Sequence, residues 1–541
     1  MTRFILGTLI KHSREGDILN QPNRDLANPQ PRAGMNATLG DPWVLGISAG
    51  FILLFVAFSI YDVELLSSVV GEAFTWSAKY LGSYFQLLLL LTFVIAIAIA
   101  ISPAGGAVMG DLDQPEMSTF RWVAIIMCTL LAGGGVFFAA GEPVYHFIAQ
   151  TPPAFDTEVG TPAAVQGALA QSFMHWGFLA WAVLGGLTSL VLVHAHYVNG
   201  QPLQPRTLLY PVFGERVMHG AIGGAIDAVC VISVVAGTVG PIGFLATQVA
   251  YGGSVLFGLS EGYGTQLAVL VVLGMIYVSS AISGIHKGIQ MLSRFNVYLA
   301  LVIGGIILVF GPTLFLIDTY TQSMGAYLGN FLGMATMTTQ TAPDWWMKWW
   351  TVFFFAWFIG YGPLMALFVA RISRGRTVRQ MILAVCVAAP IATTIWFTLL
   401  GGSGIFYQLN GSIDLAEALT NFRFDVATLT VAQALPLGTV MAAAILLLTT
   451  IFVATTGDSM SYTISMVATG HDEPKTVVRA FWGISLAVMA AILLYMGAGQ
   501  ISALQQFIVV TAIPVSLVLL PSLWTGPKAA YAMARNQGLV R

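Results

Sequence analysis

Two stretches of this sequence concentrate residues that can hold a cation without a counter-charge. One is His175-Trp176-Gly177-Phe178-Leu179-Ala180-Trp181. The other runs Trp349-Trp350-Thr351-Val352-Phe353-Phe354-Phe355-Ala356-Trp357-Phe358-Ile359-Gly360-Tyr361-Gly362-Pro363. On a helix, Phe358 and Tyr361 are three apart and share a face, while Trp176 and Trp181 are five apart, on adjacent flanks. Aromatic faces attract a diffuse cation lying within about 6 Å of the ring centroid. A quaternary ammonium or sulfonium head suits such faces, where a buried anionic partner would be costly. Trp345, Trp346, Trp349 and Trp350 suit an interfacial belt. Trp357 and Tyr361 lie about two to three turns deeper, where a belt does not account for them.

A second group of residues offers oxygen. Thr455-Thr456-Gly457-Asp458-Ser459 supplies adjacent hydroxyls and a carboxylate, hard ligands of the kind Na⁺ takes. The competing reading is that the threonines bond back to their own helix. Ala132-Gly133-Gly134-Gly135 can free backbone carbonyls for a ligand or ion, or can simply allow close helix packing. Gly237-Thr238-Val239-Gly240-Pro241-Ile242-Gly243 predicts a break or kink in its helix. Asp227 and Asp458 are the most deeply embedded carboxylates, suited to a proton relay or to pairing with a hydroxyl or amide. His175 reads as a packing histidine with its hydrogen bonds satisfied. The three cysteines, with no CxxC spacing, support neither a disulfide framework nor a metal cluster.

These residues sit in a chain of 541 residues that is 57% hydrophobic and 9% charged, with a mean hydropathy of +0.81. Soluble domains carry roughly 25% charge, so most of this surface must face something other than water. Apolar runs long enough to span a bilayer recur near 43–62, 82–104, 120–140, 168–195, 222–257, 265–284, 294–316, 346–370, 380–402, 436–457, 477–497 and 503–523. Backbone groups in hydrocarbon need internal partners, so the predicted fold class is all-α integral membrane with twelve transmembrane helices. Runs such as 87–101 are apolar all round and exclude the alternation of a β-barrel. With the N-terminus placed inside, only Lys79, Lys348 and Arg423 of the 22 Lys and Arg fall outside, which predicts cytoplasmic termini. The expected organisation is a cytoplasmic tail over 1–42, a transmembrane domain over 43–523 and a short cytoplasmic tail over 524–541. An amphipathic helix is expected over 323–337 at the outer interface. The N-terminal segment is too polar for a cleaved signal peptide, and nothing suggests nucleic-acid binding.

No span carries the charged or polar ring a channel needs. Glu142, His175 and Asp458 are too scattered for an enzyme's constellation, so the chain reads as a secondary transporter with no catalytic residues. At this point the motifs resemble a known family, that of the betaine/carnitine/choline transporters. The resemblance rests on Trp350 through Pro363 followed by Ala370-Arg371-Ile372-Ser373-Arg374-Gly375-Arg376-Thr377-Val378-Arg379. It rests also on Pro115-Glu116-Met117-Ser118, Gly141-Glu142-Pro143, His175-Trp176-Gly177, Ser280 through Gln290 and Thr455 through Ser459. These occur in the family's order over roughly residues 40–525.

The resemblance implies two five-helix inverted repeats, spans 3–7 and 8–12, preceded by two extra helices. It also implies a homotrimer in the cell inner membrane, with the lipid bilayer, a small onium solute and Na⁺ as partners. The substrate cage would comprise Trp176, Trp181, Trp357, Phe358 and Tyr361, with backbone at Ala132 and Gly134. Sodium, the coupling ion in place of any cofactor, would bind carbonyls near Cys128 and Leu131, the Phe452 carbonyl, Thr455 and Thr456. Thr238 is the remaining candidate for a second sodium, since Val234 takes its partner's place. The family commonly has Trp where this chain has Phe355, Phe358 and Tyr361, and Tyr where it has Leu184, so the particular onium solute stays open. The implied activity is sodium-coupled uptake of a betaine-, carnitine-, choline- or dimethylsulfoniopropionate-type solute. The alternative is a sodium-independent substrate/product exchanger.

Overall fold

The structure, a computed structural model, describes residues 40–541 apart from 111, 113, 132, 133, 284, 285 and 472. Among these residues it is all-α apart from isolated bridges such as Val108 to Thr377. Among the described residues, eleven helices are long and apolar enough to cross a membrane. The third predicted span, near 120–140, contains α3 (Thr119–Leu131) and the start of α4 (Gly134–Ile148), with residues 132 and 133 outside the described set.

The chain enters at α1 (Pro42–Tyr61), where Asp41 accepts the Trp43 amide at 3.0 Å and Pro42 occupies the first turn. Asp62 ends α1 and caps the next helix through the Leu65 amide. That helix, α2 (Val63–Ile101), is 39 residues long. Only its second half falls in a predicted span, near 82–104; Glu64, Glu72 and Lys79 lie in its first half. The cap at Asp62 and the absence of proline let the helix form regardless. The third element of α2's surroundings, α5 (Ala164–Val198), is built from segments: it breaks at Gly177, loosens over 184–187 and ends in a π-helical turn.

The remaining spans follow as α6 (Gly220–Phe257), α7 (Tyr263–Ser283), α8 (Met291–Phe310), then α10 (Asp344–Ile372), α11 (Val378–Leu409), α13 (Gly438–Thr469), α14 (Thr476–Met496) and α15 (Ser502–Leu519). Between them lie α9 (Thr313–Gly329) and α12 (Phe424–Ala434). The amphipathic helix expected over 323–337 therefore begins ten residues earlier, and α9 does not lie free at an interface. Tyr320 and Tyr327 pack against Phe173 of α5, and Tyr327 stacks on Phe178 at 5.5 Å. The C-terminal residues form α16 (Ser522–Asn536), which buries Ala529, Ala530, Met533 and Ala534. Gln537 then exchanges two hydrogen bonds with the backbone of Val108.

The helices at the centre differ from those at the edge in the way a membrane fold requires. The hydropathy windows of α5, α6 and α10 are 94%, 89% and 83% buried, whereas those of α1 and α8 are 22% buried and face outward. The predicted break at Gly237–Gly243 does not occur; α6 runs through it without interruption. Pro241 instead withdraws the amide that would have bonded the Gly237 carbonyl four residues earlier. That carbonyl finds a different donor, described below.

Candidate functional site

The central helices enclose a cavity of ≈ 490 Å³, within the range of small-molecule sites. Gly134, Trp176, Leu184, Trp357, Phe358 and Tyr361 line one part of it, and Phe452, Thr455 and Thr456 line another. Helix α4 supplies Gly134, α5 supplies Trp176 and Leu184, α10 supplies Trp357, Phe358 and Tyr361, and α13 supplies the rest. The rim includes Leu301 and Leu308 of α8 and Ile395 of α11, all exposed, so the cavity reaches the surface of the chain between these helices.

Three of the cage rings, those of Trp357, Tyr361 and Trp176, are held by a hydrogen bond at the polar end. Trp357 Nε1 donates to the Gly237 carbonyl at 3.1 Å, the same carbonyl that Pro241 leaves without its helical partner. Tyr361 donates its hydroxyl to Thr238 Oγ1 at 3.0 Å, and Thr238 donates in turn to the Val234 carbonyl at 2.7 Å. Trp176 Nε1 donates to Glu142 Oε2 at 2.7 Å. The rings of Trp176 and Trp357 meet edge to face at 5.8 Å, and those of Trp176 and Phe358 at 5.5 Å. Gly134 is necessary here, since a Cβ on it would collide with both Trp357 and Trp176.

Trp181 behaves differently. Its indole donates to Thr393 Oγ1 of α11 at 3.0 Å, and it is absent from the residues lining the cavity. The break at Gly177 rotates the following segment, so the five-residue spacing does not bring both tryptophans to one space. A Cβ at Gly177 would strike the Phe173 carbonyl, which ties this break to glycine. Trp396, not singled out in the sequence, lines the cavity instead and donates to the Gly135 carbonyl at 3.0 Å. A lone Trp in an apolar run carries no spacing signal that would have found it.

On one side the cavity is closed by a stack of aromatic rings. Phe138 lies 5.1 Å from Phe354 and 5.6 Å from Phe244, and Trp357 stacks on Phe353 at 5.5 Å. Phe424 of α12 contacts Phe138 from above. Near this stack, Arg423 pairs with Asp425 at 2.9 Å and Glu261 at 3.1 Å, joining the start of α12 to the connection between α6 and α7. Burial pushes the Asp425 carboxyl up from its ordinary value, against the pull of Arg423.

Of the candidate sodium ligands, Phe452, Thr455 and Thr456 lie on adjoining positions of α13 and share the cavity wall. Thr455 donates back to the Ile451 carbonyl at 2.8 Å, the helix-internal bond anticipated for it, and keeps its oxygen lone pairs for another partner. Cys128 and Leu131 lie in the last turns of α3, and Ala132 lies outside the described residues. Thr238 is engaged by Tyr361 and Val234. Asp227 is no relay in this arrangement: Arg206 donates to it from both its backbone amide and Nε, each at 2.7 Å, and reaches Asp41 with Nη2.

Three comparisons bear on these observations. The model of a family described as betaine/carnitine/choline family transporter matches residues 43–535. The chain is 49% identical over 497 residues to glycine betaine transporter 2 of Vibrio parahaemolyticus, covering 92% of this chain and 91% of that protein. It is 32% identical to the glycine betaine transporter OpuD of Bacillus subtilis, over 88% of this chain and 91% of that one. It is 29% identical to an ectoine/hydroxyectoine transporter of Virgibacillus pantothenticus, over 90% of this chain and 95% of that one. The match spans every helix that builds the cavity, and the chain is a member of the betaine/carnitine/choline transporter family, a multi-pass membrane transporter and not an enzyme.

Proposed function

We propose that this transporter takes up a small methylated onium zwitterion together with one sodium ion, by alternating access around the central cavity. The observation that carries the reading is the convergence of Trp176, Trp357, Phe358 and Tyr361 on one space that Phe452, Thr455 and Thr456 also line. The rings suit a methylated cation, each contributing roughly 0.5–2 kcal/mol depending on desolvation. The oxygens of Thr455, Thr456 and Phe452, with carbonyls near Cys128 and Leu131, would hold Na⁺ a few residues from the cage. Sodium then favours the arrangement in which the cage is complete, because it binds that arrangement better than the other. The relatives named as glycine betaine transporters make glycine betaine the first solute to test.

Paired lengths support the inverted repeats. Helices α6 and α13 have 38 and 32 residues, and α7 and α14 have 21 each. Residence in the inner membrane with cytoplasmic termini, as a homotrimer, belongs to the same reading. The test is accumulation of labelled glycine betaine in proteoliposomes. An inward sodium gradient should drive uptake above equilibrium. Equal uptake with potassium in place of sodium, or exchange only against internal substrate, would replace the symporter with an exchanger.

A further inference from the structure

Behind Trp176, away from the cavity, Glu142, His146 and His175 form a cluster with no exposed surface. Their ligating atoms lie within 4.8 Å of one another. Glu142 and His146 are one turn apart on α4, and His175 faces them from α5. His175 Nδ1 lies 2.6 Å from Glu142 Oε1, and its Nε2 lies 2.9 Å from the Gln171 amide nitrogen and 3.1 Å from Thr351 Oγ1. The tautomer that satisfies all three is neutral, with Nδ1–H donating to the carboxylate and Nε2 accepting from Gln171. Glu142 Oε2 accepts the Trp176 indole N–H. His146 completes the cluster differently: its Nε2 lies 3.5 Å from Glu142 Oε1, and neither of its ring nitrogens makes a hydrogen bond. It is packed between Trp346 and Trp350 at 4.8 and 4.5 Å.

We infer that Glu142 is a positioning and polarising residue for the substrate cation, acting through Trp176, and that the Glu142–His146–His175 cluster binds a proton that opposes substrate binding. The physical chain is short. A carboxylate accepting the indole N–H pushes electron density toward the ring and places a negative charge behind it. Both strengthen the attraction of the ring face for a cation in the cavity. With both imidazoles neutral the cluster carries a single negative charge. One proton on His146, whose unbonded Nε2 would then donate to Oε1, brings that charge to zero and removes the effect. Onium binding and protonation of the cluster must therefore oppose each other, and by linkage each weakens the other by the same factor.

The neighbouring groups leave this cluster as the local titrating unit. Tyr145 meets the His146 ring edge-on. On the elements packed around it, Asp425 is paired with Arg423, Asp227 with Arg206, and Tyr361 with Thr238. Lys348 lies over the Phe74 ring. Arg121, Asp318, Tyr320, Tyr327, Asp344, Arg371, Tyr407 and Glu417, on the surrounding helices, make none of the hydrogen bonds or ion pairs given above for the three residues.

This inference rests on the onium reading of the cavity, and two measurements separate the two. The first needs no substrate: tryptophan emission of the purified, full-length protein is followed from about pH 8.5 down to about pH 4. A transition is expected in the wild type that is absent in Glu142→Gln and in His146→Gln. The second is calorimetric titration with glycine betaine and with choline in sodium buffer over the same range. Wild-type Kd should rise about tenfold toward low pH, with proton release on binding seen as a dependence of the heat on buffer ionisation. His146→Gln, which forfeits no hydrogen bond, should keep tight binding and lose the pH dependence. Glu142→Gln should bind weakly at every pH. A pH-independent wild type, or a His146→Gln profile identical to it, overturns the inference. If neither solute binds, the onium reading falls, and an emission transition dependent on His146 and Glu142 still upholds the proton site while its absence overturns it.

Discussion

At the level of single residues, three rings of the cage are fixed by their polar ends. Trp176, Trp357 and Tyr361 have no common motif, yet all three hold their faces in the same way, by a hydrogen bond behind the ring. These three and Phe358 were legible in the sequence because buried aromatics at helical spacing stand out where an interfacial belt cannot explain them. Trp181 was legible as an aromatic but not as a bystander, since its orientation depends on the break at Gly177. The sodium residues were visible only as a hydroxyl pair, and the pair is not symmetric: Thr455 is bonded into its helix, while Thr456 makes no hydrogen bond among the described residues. Thr456→Val keeps the shape and removes one oxygen. It should raise the sodium concentration for half-maximal uptake at least about tenfold, the effect of roughly 1.4 kcal/mol, with little change in maximal rate. An unchanged sodium curve would remove Thr456 from the site.

At the level of elements, irregularities position the site. Gly177 splits α5, and Pro241 exposes a carbonyl without breaking α6. The sequence signalled Gly237–Gly243 as a break or kink and gave no such signal at Gly177, because which backbone group is freed depends on the partner it finds. At Gly237 the partner is the Trp357 indole. Pro241→Ala restores an amide at position 241 to compete for that carbonyl, so the variant should fold with equal or greater thermal stability while KM for the substrate rises about threefold to tenfold. Equal KM in the two proteins would show that the proline does not prepare Trp357's anchor. The first half of α2 was illegible for a different reason: hydropathy gives its acidic and basic residues no span, whereas the cap and unbroken helix propensity decide the backbone.

At the level of the molecule, the composition and hydrophobic spacing already contained the membrane fold, while the joints between its parts emerged only in three dimensions. One such joint is buried: Arg206 ties the start of α1, through Asp41, to Asp227 in α6. Removing one partner of such a pair strands the others, at a cost of about 3–5 kcal/mol. Arg206→Met should lower the melting temperature of the detergent-solubilised protein by several degrees, with restoration when Asp227→Asn is added; a melting temperature equal to wild type would show the joint to be dispensable. The long helix α2 has a consequence of another kind. At 39 residues it rises about 58 Å, against a hydrocarbon thickness of about 30 Å. Its outer face shows Leu65, Val69 and Trp76 in one half and Leu87, Leu91 and Val94 in the other, all exposed. A bilayer of ordinary thickness covers about half of that face. Along this edge the helix must tilt, the lipids must stretch to meet it, or apolar side chains lie among the headgroups. Acyl-chain length thereby becomes a thermodynamic variable for this transporter, as salt concentration is for a charged soluble protein.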